Sequence, residues 1–156
     1  MDAYRGTLDA SGLRIAIVVS RFNADVTDRL LAGARAALEE YGASPSEIDV
    51  FSVPGAWELP QTAARVLEAG RHDAVVTLGC VIRGETPHFD YVCSHASLGL
   101  GQVALSSEVP VVFGVLTTDD LPQAMARAGD GADNKGFEAV TTAVEMIGVF
   151  HRVAGR

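Results

Sequence analysis

The sequence predicts a three-layer α/β/α sandwich, in which helices cover both faces of a four-stranded parallel sheet. Four short apolar runs are continuous rather than alternating, which is typical of strands buried on both faces of a parallel sheet. Helical patterns and short connections separate these runs, and the resulting order β-α-β-α-β-α-β-α-α is typical of a doubly wound domain. We therefore expect the 156 residues to form a single domain, with residues 1–12 as an N-terminal arm.

Each predicted element depends on a local pattern. The strands are apolar runs rich in β-branched residues, at residues 14–20, 48–53, 74–82 and 109–116. Apolar spacings of three and four, with glycine or proline near the ends, predict helices over residues 24–41, 58–69, 88–107 and 136–152. Asp119 or Asp120 is expected to cap one further helix, which runs to about Ala128. Residues 4–8 are expected to form either a short strand or a loose arm.

Composition and charge exclude several classes of protein. Hydrophobic residues make up 48% of the chain, which is too many for a disordered protein and suggests that another subunit covers part of the surface. The net charge of −8 argues against nucleic acid and membranes as partners, because both attract clustered Lys and Arg. The two cysteines exclude a disulfide scaffold. Without an apolar leader or a membrane-length run, we expect a cytoplasmic protein.

Two aromatic residues lie in loops where a ligand is expected. Ligands of open parallel sheets bind beyond the carboxyl ends of the strands, so the strand-to-helix loops are the place to search for chemistry. Phe22 and Trp57 lie in the first two of these loops. Each ring could stack on a flat heteroaromatic ligand or fill the core at a helix start, and both alternatives stay open.

The third loop, residues 83–88, carries the clearest signal for an anion. Gly84 allows close backbone approach, Thr86 offers a hydroxyl and an N–H, and the next helix presents its positive end. Together these groups could hold a phosphate. His88 begins that helix, three residues after Glu85, and could transfer protons near neutral pH.

The remaining histidines and the late cations are weaker candidates. We expect His72 and His151 to be solvated, and His95 to be a helix-packing residue rather than a ligand. Arg127 and Lys135 bracket a polar turn and could serve a phosphate. On spacing alone, stabilisation of a helix end is the favoured role of Arg127.

Taken together, the loops resemble the lumazine synthase family. The matching strings are SRFN at 20–23, VPGAWELP at 53–60, LGCVIRGETPHFD at 78–90, PVVFGVLTT at 110–118, RAG at 127–129 and NKG at 134–136. They occur in order and with family-like spacing over residues 13–150, and GETPHFD is the most specific of them. The resemblance implies a flavodoxin-like strand order for the sheet.

The resemblance also implies an activity. Members of this family are transferases of riboflavin biosynthesis that condense 5-amino-6-(D-ribitylamino)uracil with 3,4-dihydroxy-2-butanone 4-phosphate. The product is 6,7-dimethyl-8-ribityllumazine, and phosphate and water are released. The resemblance implies small-molecule substrates, no metal or cofactor, and a homopentamer. It leaves open whether twelve pentamers form an icosahedral shell and whether riboflavin synthase binds.

The same resemblance assigns roles residue by residue. It makes His88 the catalytic proton carrier. The residues assigned to the pyrimidine and ribityl pocket are Phe22, Ala56, Trp57, Glu58, Cys80, Val81, Ile82 and Phe113, and those assigned to the phosphate are Glu85, Thr86, Arg127 and Lys135. Phe113 and Arg127 are implied to come from the neighbouring subunit. The N-terminal arm is expected to add a strand to a neighbouring sheet.

Two other functions stay open at the level of sequence. A flavodoxin-like binding or signalling module without catalysis would have the same order of elements and could hold a flavin on its aromatic loops. A riboflavin-binding member of the family would store ligand in the same pocket. Bound flavin would colour either protein yellow, whereas a synthase would form fluorescent lumazine from its two substrates.

Overall fold

The computed structural model describes all 156 residues, and four parallel strands form one sheet in the order β2-β1-β3-β4. The elements in chain order are β1 (Ile15–Ser20), α1 (Ala24–Glu40), β2 (Ile48–Val53), α2 (Leu59–Glu68), β3 (Ala74–Ile82), α3 (His88–Leu105), β4 (Val111–Thr118), α4 (Leu121–Ala126) and α5 (Lys135–Val153). The predicted three-layer, flavodoxin-like arrangement is confirmed. None of the helices combines the length and apolar character needed to cross a membrane.

The two central strands are buried on both faces, which explains their continuous apolar sequences. Alternate residues of a strand point to opposite faces of the sheet. On β1, Ile15 and Ile17 join a core shared with α1 and α5, while Ala16 and Val18 join a second core beneath α2 and α3. All four side chains are fully buried. The sheet therefore separates two apolar cores, and the loops at its carboxyl edge reach solvent.

The fourth strand is displaced by two residues from its predicted position. It spans Val111–Thr118 rather than residues 109–116. Pro110 has no N–H to donate to a ladder, and its carbonyl only accepts from the N–H of Val75. At the other end Thr117 pairs with Val81, so that β-branched threonines extend the strand. The shift brings the end of β4 level with the end of β3.

His72 is buried, and the prediction that it is solvated is wrong. Its side chain is only 2% exposed, and Nε2 lies 2.7 Å from Oδ2 of Asp49 on β2. The ring also packs edge-on against Phe51, with 6.4 Å between centroids. The hydrogen bond from His72 lowers the pKa of the Asp49 carboxyl. Sequence could not reveal this position, because the polar neighbours of His72 describe the turn and not the direction of its ring. His151 is exposed, as predicted.

The N-terminal arm forms no strand within its own chain. Gly6 lies against the backbone of α5, where a Cβ at residue 6 would overlap the carbonyl of Glu145. Nearer the sheet, the N–H of Ala10 donates to the carbonyl of Tyr41 over 2.8 Å. The first nine residues are otherwise mostly exposed. Pairing of this arm with a neighbouring sheet stays a prediction.

Truncation of a buried side chain on α1 tests the assigned arrangement of layers. Leu38 is fully buried in the core between the sheet, α1 and α5. We expect Leu38→Ala to lower the free energy of unfolding by about 2–5 kcal/mol, because it removes buried methyl groups and leaves a cavity. The control is Val153→Ala, at a side chain that is 83% exposed, which should change stability by less than about 0.5 kcal/mol. Urea unfolding measures both, and equal effects would contradict the assigned layers.

Candidate active site

A cleft opens at the carboxyl edge of the sheet, where β1 and β3 lie side by side. Helix α1 follows β1 and helix α3 follows β3, and the two helices pack on opposite faces of the sheet. They therefore diverge at this edge. Such a reversal of strand order is where open α/β sheets bind ligands. The carboxyl-end cleft has a volume of about 440 Å³. It gathers nine predicted site residues, which are Phe22, Ala56, Trp57, Glu58, Cys80, Val81, Ile82, Thr86 and His88.

The conformation of Asn23 fixes the first wall of the cleft. Asn23 has φ 62° and is the only residue other than glycine with a positive φ. It adopts this left-handed conformation just before α1, and its Nδ2 donates to the carbonyl of Cys80 over 2.9 Å. The β1–α1 loop is thereby tied to β3. The preceding residue, Phe22, is left 71% exposed at the mouth of the cleft.

The second wall is formed by Trp57, which rests on a histidine. Its ring is 53% exposed and stacks on His95 of α3, with 3.6 Å between centroids and 20° between planes. The Nε2 of His95 also lies 3.0 Å from the Trp57 carbonyl. The prediction that His95 is a packing residue is therefore confirmed. Neither Phe22 nor Trp57 fills the core, so the core alternative for these rings is wrong.

The floor of the cleft contains a local hydrogen bond to the Glu58 carboxylate and the buried thiol of Cys80. The Oε2 of Glu58 accepts from the N–H of Gly55 over 2.9 Å, which closes the β2–α2 loop. Cys80 lies on β3 and is 2% exposed. Burial raises the pKa of the Cys80 thiol to about 11, because the apolar surroundings disfavour thiolate. The thiol is therefore neutral at physiological pH and contributes shape rather than reactivity.

The third loop is anchored at its base and exposed at its tip. The Nε of Arg83 donates to Oδ1 of Asp119 over 3.1 Å, and its guanidinium carbon lies 4.4 Å from the ring centroid of Phe89. Beyond this anchor, Glu85 and Thr86 are exposed, and no hydrogen bond within the chain uses their backbone N–H groups. Glu85 lies outside the carboxyl-end cleft, unlike Thr86.

His88 is the residue of the cleft best suited to exchange protons. It is the first residue of α3, it is exposed, and its ring makes no hydrogen bond within the chain. Pro87 precedes it and offers no side-chain cap, and the N–H groups of His88 and Phe89 make no hydrogen bond within the chain, whereas that of Asp90 donates to the Pro87 carbonyl over 3.0 Å. An imidazole and the positive end of a helix therefore point to the same side of the cleft.

Three predicted residues lie elsewhere in the chain. Phe113, Arg127 and Lys135 line a second hollow of about 420 Å³ between β4 and α5, which we call the β4 depression. It shares no lining residue with the carboxyl-end cleft. Phe113 is 46% exposed there. Arg127 donates from Nη1 to the carbonyl of Gln123 over 2.9 Å, the helix-end contact that its spacing predicted.

The two hollows also differ in charge. No Lys or Arg lines the carboxyl-end cleft, whose ionisable groups other than the thiol are Glu58 and His88. In the β4 depression, the Nζ of Lys135 lies 2.7 Å from Oε2 of Glu138, and Arg127 makes no salt bridge. No group of three or more His, Cys, Asp or Glu side chains is placed to hold a metal ion.

Three residues that shape the cleft carried no functional prediction. Asn23 could have been found, since asparagine is several-fold enriched in left-handed backbone and here it precedes a helix. Arg83 follows a buried strand, and its anchor depends on carboxylates from two other segments. His95 meets Trp57 across 38 residues of sequence, so only the packing of α3 reveals their contact.

The fold and the position of the cleft define a flavodoxin-like α/β protein, a class whose members bind small ligands where the strand order reverses. A model of the 6,7-dimethyl-8-ribityllumazine synthase family matches residues 12–151 of this chain. The chain belongs to that family, which is a family of enzymes, and membership implies lumazine synthase activity in riboflavin biosynthesis.

The reactivity of Cys80 tests the environment of the cleft. With a pKa of about 11, the thiol should be about a thousandth ionised at pH 8, roughly 100-fold less than an ordinary thiol. We expect iodoacetamide to modify Cys80 at least 100-fold more slowly in the folded protein than in urea, and the folded rate to rise with pH towards 11. Peptide mass spectrometry separates Cys80 from Cys93. Equal rates in the folded and unfolded protein would contradict the burial assigned to this thiol.

Proposed function

We propose that the chain condenses 5-amino-6-(D-ribitylamino)uracil with 3,4-dihydroxy-2-butanone 4-phosphate to form 6,7-dimethyl-8-ribityllumazine, phosphate and water. The observation that carries this proposal is the carboxyl-end cleft of a family member, which combines exposed aromatic rings with an exposed histidine. A flat pyrimidine requires the rings, and a condensation that transfers several protons requires the histidine.

Each wall of the cleft receives one part of the substrates. Phe22 stacks on the pyrimidine, since its ring is exposed and its loop is tied to Cys80. The segment Ala56–Glu58 supports the ring from the β2–α2 side, where His95 holds Trp57 in place. Cys80, Val81 and Ile82, at the end of β3, line the ribityl chain. None of these side chains needs to ionise for binding.

The phosphate binds at the third loop. The unpaired N–H groups of Glu85 and Thr86, together with the uncapped start of α3, form a cluster of donors suited to an anion. Backbone donors can bind an anion without any charged side chain. They leave the charge of the phosphate unneutralised, since the cleft contains no Lys or Arg. A cation must therefore come from outside the cleft.

A neighbouring subunit supplies that cation. Arg127 and Lys135 occupy a separate hollow of their own chain, together with Phe113 on the open edge of the sheet. If the β4 depression of one subunit faces the cleft of the next, Phe113 covers the ring and Arg127 meets the phosphate. Lys135 is the second cation beside it. Such a contact joins two different surfaces, and repeats of it form a ring when the rotation between neighbours closes.

The surface of α3 supports a ring of subunits. Tyr91, Leu98 and Leu105 follow one another at seven-residue spacing and are 70%, 71% and 93% exposed. Helices pack together through apolar residues at this spacing. The unpaired edge of β2 also offers a place for the N-terminal arm of a neighbour. These surfaces agree with the homopentamer that the resemblance implies.

The reaction requires positioning and one proton carrier. The amine of the pyrimidine attacks the ketone, and loss of water gives an imine. Removal of a proton beside the imine expels phosphate, and closure of the second ring releases water. His88 accepts and returns the protons of these steps, because its imidazole is exposed in the cleft and makes no hydrogen bond within the chain. The neutral Cys80 thiol takes no covalent part.

Mixing both substrates with the protein tests this function directly. We expect lumazine fluorescence to appear in proportion to the amount of protein. His88→Ala should reduce kcat by about 10²-fold, the lower range for loss of one acid–base group, with little change in substrate binding. His151→Ala, at an exposed histidine far along α5, is the matched control and should keep wild-type turnover. Wild-type kcat in His88→Ala across pH 6 to 8 would refute its role. Protein that purifies yellow and forms no lumazine would instead indicate a riboflavin-binding member.

Mixed subunits test the shared site. His88→Ala and Arg127→Ala proteins should each be weakly active, and Arg127→Ala should weaken binding of the butanone phosphate by roughly 10- to 100-fold. If the two residues act across a subunit boundary, random co-refolding leaves about a quarter of the sites intact, and activity should return to that extent. Light scattering should give a pentamer or a multiple of one. Monomers with no recovered activity would overturn the shared site.

A further inference from the structure

The side chain of Asn134 is a buried junction between three segments. It belongs to the connection of α4 with α5, residues 127–135, which we call the α4–α5 turn, and it is only 2% exposed. Nδ2 donates to the carbonyls of Arg29 on α1 and Gly129 in the turn, over 2.9 Å each. Oδ1 accepts from the N–H groups of Gly136 and Phe137, over 2.8 and 3.2 Å. These four bonds use the full capacity of a carboxamide.

Backbone hydrogen bonds of the turn connect the Asn134 junction to Arg127 and Lys135. The N–H of Lys135 donates to the carbonyl of Arg127 over 2.9 Å, so that the two ends of the turn are hydrogen-bonded to each other. Ala128 and Asn134 form an antiparallel bridge inside this closure. Arg127 and Lys135 are therefore carried on one closed loop. The Asn134 side chain is what attaches that loop to α1.

Close packing against α1 restricts the position of the Asn134 side chain. A Cβ at Gly33 of α1 would overlap the carboxamide of Asn134, and a Cβ at Gly136 would overlap the carbonyl of Leu30. Two glycines thus make room for the turn to sit against α1. Inside such a site, an amide that loses some of its partners costs free energy, because the buried groups left unpaired cannot reach water.

We propose that Asn134 is the positioning residue for the phosphate-binding cations: it sets where Arg127 and Lys135 stand and does not itself touch substrate. This inference depends on the proposed function of those two residues. A role in capping α5 would use only Oδ1, since an N-cap side chain accepts from the first N–H groups of the helix. The two bonds of Nδ2 reach α1 and the turn instead, and they are the ones that fix the loop.

Two variants separate positioning from capping. Asn134→Ser and Asn134→Asp both keep a good N-cap acceptor for α5, and both lose the two bonds of Nδ2. We expect each to assemble normally and to raise KM for the butanone phosphate by about 10- to 100-fold, up to the effect of Arg127→Ala. KM for the pyrimidine should change less than about twofold. Asp133→Asn, an exposed neighbour in the same turn, is the control and should behave as the wild type.

Acid should partly rescue one variant. The carboxyl introduced by Asn134→Asp regains a donor when it is protonated, so its phosphate defect relative to the wild type should shrink as pH falls. Asn134→Ser should show no such dependence. In the Arg127→Ala background, either substitution should add little to KM for the butanone phosphate, because the cation that it positions is already absent.

The possible outcomes distinguish failure of the Asn134 inference from failure of the proposed function. If Arg127→Ala raises KM for the butanone phosphate and both Asn134 variants assemble but bind it normally, positioning by Asn134 is refuted and the proposed function stands. If Arg127→Ala has no effect on that KM, the phosphate role of Arg127 fails first. Failure of both Asn134 variants to assemble would also overturn the inference, since Asn134 would then serve folding rather than positioning.

Discussion

The parallel pairing of β1 and β3, buried on both faces, is the constraint on which the rest of the structure depends. Because the two strands run in the same direction, the loops that follow them leave the sheet at one edge. Those loops carry Phe22 and the segment from Arg83 to His88. Their helices pass to opposite faces and cover both cores. The carboxyl-end cleft opens between the Phe22 loop, the β2–α2 loop and the start of α3. The cleft therefore forms because helices cover both faces of the sheet.

The two hollows are distinguished by their charged side chains, which burial alone does not explain. No Lys or Arg lines the cleft, while Arg127 and Lys135 lie in a second hollow beside Glu138. The proposed sharing of the site between subunits keeps the cations of one chain away from its own cleft. It also makes the proposed activity depend on assembly.

Sequence predicted the fold well where one pattern decided the outcome. β2 and β3 occupy the predicted residues, because continuous apolar runs between turn residues have few alternatives. β4 shifted because Pro110 removes a donor that hydropathy does not register. The strand-to-helix loops indicated Phe22, Trp57, Thr86 and His88, and the family resemblance indicated the other five predicted residues that line the cleft. The stacking of His95 on Trp57 depends instead on how α3 rests against α2. Long-range side-chain contacts of this kind leave no periodic trace in a sequence.

Two asparagines support the segments beside the two hollows, and neither has chemistry that marks it as functional in the sequence. Asn23 combines left-handed backbone with a bond to the Cys80 carbonyl, which joins the Phe22 loop to β3. Asn134 caps α5 with its oxygen and ties the turn to α1 with its nitrogen. A carboxamide suits both places because it donates and accepts at once without adding charge. The proposed reaction needs little more than positioning and one proton carrier, so it depends on such supports as well as on the residues proposed to touch substrate.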